Sequence, residues 1–253
     1  MKHYSLYIDG KFVDKKSKQR ISNPATGEVI AEVSIADAGD VNSAMESARQ
    51  AFDKGHWRDI FLEERKTFLL KISQGILEKA GELAELETLN TGKPIKESTF
   101  MDIPSAAKTF EDFANNLERY LEPKEIEVAN AHSHLIRQPQ GVVVLIVPWN
   151  YPLLIVCWKL AQALAAGNTV VVKPSSLTPL TALELAKIIH GAGLPAGVVN
   201  VINGSGKDLG RLLCSDKRAD MISFTGSNEV GREIINYTAS SVKKLIMEVG
   251  GKS

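Results

Sequence analysis

Gly141-Val142-Val143-Val144-Leu145-Ile146-Val147-Pro148-Trp149-Asn150-Tyr151-Pro152 is the stretch on which the fold turns. An unbroken apolar run bounded by glycine and proline is what a strand buried on both faces requires, whereas a half-buried strand alternates. Further apolar runs follow at residues 168–172, 198–202, 221–224 and 245–247. Each ends in a polar or glycine-bearing turn: Lys173-Pro174-Ser175, Gly204-Ser205-Gly206-Lys207, Thr225-Gly226-Ser227, and Glu248-Val249-Gly250-Gly251. Helical segments separate the runs. In residues 178–190, Thr178 is placed to cap, Pro179 fits the first turn, and Leu183, Leu185, Ile188 and Ile189 face inward. Strand alternating with helix predicts an α/β fold built on a parallel sheet. Ligands of such sheets gather at the carboxyl ends of the strands, which is where these turns fall.

Composition narrows the partners. A chain of 253 residues, 44% of them hydrophobic, can bury a core for one large or two ordinary domains. Thirty basic residues balance thirty acidic ones, so no overall field gathers nucleic acid or an anionic membrane, and neither is expected as a partner. Residues 142–158 are apolar, but Pro148, Asn150 and Pro152 interrupt them and the run falls short of the ~20 residues of a membrane span. Met1-Lys2-His3-Tyr4-Ser5 leads into charged sequence without an apolar signal core, and two cysteines make no disulfide framework. A reducing cytoplasm is the expected compartment.

The N-terminal region reads differently. Residues 5–13 alternate about Asp9-Gly10, as a small hairpin does, and Asn23-Pro24-Ala25-Thr26-Gly27 is a second turn. Residues 36–119 carry helical periodicity, with Val41, Ala44, Ala48 and Phe52 on one face and Phe68, Leu69, Ile72 and Ile76 on another, and with Asp40 as N-cap of the first helix. Residues 121–139 turn extended: Ile126, Val128, Leu135 and Ile136 flank an Asn130-Ala131-His132-Ser133 turn. This predicts a protruding β-hairpin whose exposed edges another subunit covers, giving a homo-oligomer.

Two glycine-rich strings imitate a phosphate-binding loop and fail. Gly250-Gly251-Lys252-Ser253 has Ile246 where the first glycine belongs, and Gly204-Ser205-Gly206-Lys207 has Val201 there and Asp208 in place of Ser or Thr. His132 and His134 can share a strand face, but no carboxylate or thiol stands near enough in sequence to complete a metal site, so no metal is expected.

Taken in order, the strand-end motifs are far more specific. Pro148-Trp149-Asn150-Tyr151-Pro152, residues 165–175 ending in Lys173-Pro174-Ser175, Phe224-Thr225-Gly226-Ser227 with Gly231, and Glu248-Val249-Gly250-Gly251-Lys252 resemble the aldehyde dehydrogenase superfamily. Glu87-Thr88-Leu89-Asn90-Thr91-Gly92-Lys93-Pro94 and Asn23-Pro24-Ala25-Thr26-Gly27 resemble its upstream motifs, so the likeness runs nearly end to end. It implies a Rossmann-like NAD(P)-binding domain made of residues 1–120 and 140–253, with residues 121–139 as the oligomerisation hairpin of a dimer or tetramer. It also implies oxidation of an aldehyde substrate to a carboxylic acid through a cysteine thiohemiacetal and a thioester. By the same resemblance Asn150 binds the oxyanion and Glu248 is the general base that activates water. At the end of an apolar strand, Glu248 is expected at a buried mouth that raises its pKa. Trp149, Lys173, Ser176, Gly206, Lys207, Gly226, Ser227 and Gly231 are the implied cofactor contacts, with a helix starting near Glu229 aimed at the pyrophosphate. Many NAD-preferring members carry glutamate at the position of Ser176. A neutral serine removes its repulsion for a 2′-phosphate, so NADP is expected to bind at least as well as NAD.

No cysteine fits the nucleophile's place. Cys157 and Cys214 each follow apolar residues and read as buried, and neither lies in a string resembling the family's nucleophile motif. The chain is therefore expected to be the N-terminal part of a longer enzyme whose catalytic domain is missing, inactive alone. The alternative is a noncatalytic nucleotide-binding or oligomerisation module. Tyr151, Leu154 and Trp158 suggest an apolar wall for the aldehyde.

Overall fold

The computed structural model describes residues 1–129 and 131–251; Asn130 of the expected hairpin turn and Lys252-Ser253 of the terminal string lie outside the described residues. The chain opens with β1 (Lys2–Tyr4), β2 (Leu6–Ile8) and β3 (Lys11–Val13), then β4 (Lys18–Ser22) and β5 (Val29–Ser34). β2 and β3 form the expected hairpin, with Leu6 opposite Val13 and Tyr7 opposite Phe12. Asp9 (φ 52°) and Gly10 (φ 72°) both take positive φ, the backbone whose twist matches that of the strands it joins. β1, β5 and β4 make a three-stranded sheet that the sequence pattern did not reveal.

Helices follow: α1 (Ala38–Asp53), α2 (Leu62–Glu78), α3 (Ala80–Thr91), the single turn α4 (Ile95–Glu97), α5 (Ile103–Asn115) and α6 (Leu117–Leu121). The N-cap of α1 is Asp37, not Asp40. The Asp37 carboxylate accepts from the N–H groups of Gly39 and Asp40, while the Asp40 side chain reaches back to the Asp37 N–H, so the two aspartates make one reciprocal capping box. Between α4 and α5, Ser98–Asp102 form a π-helical turn.

β6 (Lys124–Val128) and β7 (Ala131–Leu135) pair as a separate two-stranded ribbon. His132 and Ser133 are strand residues opposite Glu127 and Ile126, not part of the turn.

From β8 (Val142–Ile146) onward the chain alternates through α7 (Pro152–Ala165), β9 (Thr169–Lys173), α8 (Leu180–Ala192), β10 (Val199–Val201), α9 (Gly206–Ser215), β11 (Met221–Gly226), α10 (Asn228–Thr238) and β12 (Lys244–Val249). The seven-stranded sheet has the order β12-β11-β8-β9-β10-β2-β3. Its first five strands are parallel, and the β2-β3 hairpin adds antiparallel to β10 with Val201 opposite Tyr7. The expected α/β fold is thus present, with an antiparallel extension at one edge.

The apolar run of β8 is explained by its two neighbouring layers. Val143, Leu145 and Val147 pack with residues of α2, α5, α7 and α8, while Val142, Val144 and Ile146 pack with residues of α1, α9 and α10. Burying a side chain of this size is worth about 1.5–3 kcal/mol, so a strand apolar on both faces anchors both layers. Helix α8 starts later than expected: its N-cap is Pro179, which supplies no side-chain cap of its own, and the Thr178 hydroxyl donates to the Trp149 carbonyl instead.

Candidate functional site

The parallel sheet reverses its winding between β8 and β11: β9 and β10 are added on one side of β8, β11 and β12 on the other. A crevice opens at the carboxyl ends of the strands at such a point. Register brings the strand ends level, for Ile146 pairs with Lys173 on one side and Phe224 on the other, and Thr225 pairs with Glu248.

The loop after β8 carries Trp149 and Asn150, both exposed. The Trp149 carbonyl accepts from Thr178 at 3.1 Å, and Pro152 begins α7 directly after Tyr151. Proline suits that first position because its missing N–H would have no helical partner. The α7 N-terminus therefore sits next to Asn150, whose side chain makes no hydrogen bond among the described residues.

Lys173 is 3% exposed, and its ammonium donates only to the Pro174 carbonyl at 3.1 Å. Among the described residues no carboxylate pairs with it. Burial pushes its pKa down to about 8. Strand alternation places it on the Val171 face of the sheet, with α1, α9 and α10. Ser176 is half-buried, and its carbonyl accepts from Gln19 at 2.9 Å.

Gly226 and Ser227 close β11. Ser227 is the N-cap of α10, its hydroxyl oxygen accepting from the Val230 N–H at 3.3 Å, so the helix begins at Asn228, one residue before the expected start. The unpartnered N–H groups and positive dipole end of α10 thus lie at the crevice. Gly226 has a packing reason as well: a Cβ there would meet Phe224 Cζ at 2.5 Å. Gly231 is buried one turn into α10, where a Cβ would meet Val249 Cγ1 at 3.1 Å; it lets the helix approach β12. Gly206 and Lys207 open α9 beyond β10, exposed, with Ser205 as N-cap.

Glu248 is exposed, which corrects the expectation of a buried mouth. β12 is an edge strand, and its ladder partner among the described residues is β11 alone. Glu248 follows the parity of Ser223 and Ile246, opposite to that of Lys173. Lys159 of α7 lies on that side: its ammonium donates to Ser223 Oγ at 2.8 Å, and burial lowers its pKa while the Glu248 charge opposes the shift. Lys159 and Ser223 border a cleft of about 330 Å³ that also includes Leu245 and Ile246.

The structure therefore places Trp149, Asn150, Lys173, Gly226 and Ser227 at or just beyond the carboxyl ends of β8, β9 and β11, along the strand-end crevice. Gly206 and Lys207 extend it along the strand-end edge, and Glu248 stands at the far edge on the other face. Lys159 was missed, although its signal was present as the single charge in the apolar helix of residues 152–165. Asn90, Gln19 and Thr178 were missed as supports of the loops, because their partners are remote in sequence. Cys157 and Cys214 are both buried; burial raises the pKa of the first well above the usual thiol range and pushes the second up to about 12. Tyr151 is half-buried, Leu154 buried and Trp158 exposed. A larger cavity, about 690 Å³, lies away from the crevice at the hairpin base, near Phe113, Tyr120, Lys124 and Arg137. Among the described residues no helix is long and apolar enough to cross a membrane.

The model of the aldehyde dehydrogenase family matches residues 12–253. Aminoacetaldehyde dehydrogenase of Pseudomonas aeruginosa is 42% identical over 250 residues, covering 98% of this chain and 50% of the relative. An NADP/NAD-dependent aldehyde dehydrogenase of Escherichia coli is 39% identical over 255 residues, covering 98% and 51%. The structure of an aldehyde dehydrogenase from Bacillus cereus, solved as an NAD+ complex, superposes with a TM-score of 0.95 at 34% identity, covering 100% of this chain and 52% of that one. The chain spans about half the length of the curated relatives it matches.

Proposed function

Since this chain belongs to the aldehyde dehydrogenase family, we propose that it forms the cofactor-binding half of an NAD(P)-dependent oxidation of an aldehyde to a carboxylic acid. The observation that carries this reading is Lys173: an ammonium 3% exposed, without a carboxylate partner among the described residues, at the carboxyl end of β9 and on the face of the sheet that α10 also covers. A buried cation of that kind is completed by an anionic or hydroxyl-rich ligand. Lys173 and the Ser175-Ser176 loop would hold the adenosine ribose. Gly226, Ser227 and the α10 N–H groups would hold the pyrophosphate, with Trp149, Gly206, Lys207 and Gly231 lining or shaping the rest. When bound, the cofactor supplies the hydride acceptor.

The residues of this chain then divide the remaining work. A cysteine thiolate from polypeptide outside this sequence adds to the aldehyde carbon, and the Asn150 amide donates to the oxygen that gains the charge, a contribution of roughly 10²–10³ in rate for one such donor. Glu248 takes a proton from the water that cleaves the thioester, with Lys159 near its carboxylate. Tyr151, Leu154 and Trp158 contribute to the aldehyde wall. Balanced charge and two unpaired, buried cysteines support a cytoplasmic setting.

Ser176 bears on cofactor choice. A neutral side chain leaves room for a 2′-phosphate, and Lys173 and Lys207 supply positive charge nearby. Calorimetric titration of the chain with NADP+ and with NAD+ tests both levels of the reading. NADP+ is expected to bind at least as tightly as NAD+, and Lys173→Ala to weaken both. A large preference for NAD+ would remove the role given to Ser176, and binding of neither would remove the cofactor site. The second reading, a noncatalytic nucleotide-binding or oligomerisation module, is favoured by one observation, the burial of both thiols.

A further inference from the structure

Three side chains of one short stretch reach from α3, and from the turn after it, to the two loops that frame the crevice and to the first turns of α7 and α8 that follow them. Glu87 and Asn90 lie three residues apart and so share a helix face. Glu87 is fully buried, and its carboxylate accepts from the Thr181 hydroxyl at 2.6 Å and from the Leu153 N–H at 3.4 Å. Asn90 donates to the Leu177 carbonyl at 3.1 Å and accepts from the Leu180 N–H at 3.2 Å, capping α8 from another helix. Gly92, with φ 79°, ends α3 in the left-handed conformation and turns the chain toward Lys93.

Lys93 pairs with Asp102 of the π-helical turn, their side chains 9% and 1% exposed. Its ammonium also lies 3.9 Å from the centroid of the Tyr151 ring. Tyr151 directly follows Asn150, and the residue before Asn150 is held by Thr178 through its carbonyl. Asn150 is thus bracketed on both sides while its own side chain bonds to nothing among the described residues. Its aim depends on the brackets.

We propose that Lys93 is a positioning residue: seated by Asp102, it clamps the Tyr151 ring and so fixes the Asn150 amide. Asn90 of the same stretch fixes the loop after Lys173, so one ridge holds both halves of the crevice in a common frame. The functional meaning rests on the reading of Asn150 as oxyanion donor, whereas the clamp itself is a property of this chain alone.

Hydrogen–deuterium exchange of the chain, resolved by peptide, tests it. Tyr151→Leu and the paired Lys93→Met/Asp102→Leu substitution, which removes both partners of the ion pair while Glu87 stays buried nearby, should each speed exchange across residues 149–154 by about tenfold or more, with β8 and β9 unchanged. Tyr151→Phe, which keeps the ring, should behave as the native chain does. Asn90→Ala should speed residues 177–181 and leave 149–154 alone. Unchanged exchange at 149–154 in Tyr151→Leu, or equal acceleration in Tyr151→Phe, would overturn the clamp. The Tyr151 variants keep the test decisive even where the double substitution fails to fold, because Tyr151 is only half-buried. A parallel NADP+ titration separates the two readings: a native chain that binds no cofactor defeats the functional assignment, while the exchange pattern still decides the clamp.

Discussion

Lys173 sets ligand binding against stability. Burial holds its pKa down to about 8, so between that pH and the ordinary lysine range the folded chain binds fewer protons than the unfolded one. Stability contributed by this site therefore rises with pH across that window and is at its lowest below it. A depression of this size corresponds to about 3 kcal/mol of cost at pH 7. Lys173→Met is accordingly expected to stabilise the chain at pH 7 in the absence of added cofactor, by up to about 3 kcal/mol, with the advantage shrinking above pH ~8. Urea unfolding at several pH values checks it; a variant less stable than the native chain at pH 7 would contradict the assignment. The position of Lys173 was legible from sequence, because an apolar strand that ends in lysine and proline marks its own carboxyl end. Its isolation from carboxylates was not legible, since that depends on what α1, α9 and α10 bring to the same face of the sheet.

Elements were readable to the extent that their burial was continuous. The core strands from β8 to β11 are apolar because both faces are covered, and the sequence states that directly. β4 and β5 are half-exposed and carry charges, so Lys18–Ser22 shows no period, and the pairing of β1 with β5 joins segments far apart in the chain. Capping was partly hidden for a related reason: Asp37 and Asp40 are both acidic, and only geometry shows which one precedes the helix. Gly226 adds a test at this scale. A methyl group there meets the Phe224 ring, so Gly226→Ala should cost about 1–3 kcal/mol, a fall of several degrees in Tm, before any effect on cofactor binding. An unchanged thermal midpoint would make the glycine a matter of ligand approach alone. The β6-β7 ribbon presents Ile126, Val128 and Leu135 on one face, 48%, 49% and 43% exposed, while His132 and His134 take the other. An apolar face on a ribbon that pairs with no other strand among the described residues supports a subunit contact. Deleting residues 123–138 should lower the oligomeric state in analytical ultracentrifugation, and an unchanged sedimentation coefficient would remove the hairpin from the contact.

At the scale of the whole molecule the question is whether these parts amount to a catalyst. The chain brings the proposed oxyanion donor, base and cofactor contacts to the strand ends of one sheet, but chemistry of this class begins with a thiolate. Cys157 is packed in the layer of α7 and α8, and burial together with the negative charge of Glu87 raises its pKa. Cys214, on α9, is pushed up to about 12, so at pH 7 only ~1 in 10⁵ of it is thiolate. Neither thiol can therefore serve as nucleophile without unfolding the layer around it. The chain alone, incubated with an aldehyde and NADP+, is expected to form no NADPH, whereas NADP+ itself binds. Measurable turnover that disappears when Cys157 or Cys214 is replaced by alanine would show that a buried thiol becomes accessible and would overturn this account. Turnover that appears only after a polypeptide with a reactive cysteine is added, and that is lost in Asn150→Ala and Glu248→Gln, would locate the missing chemistry in that second polypeptide and assign these two residues their roles.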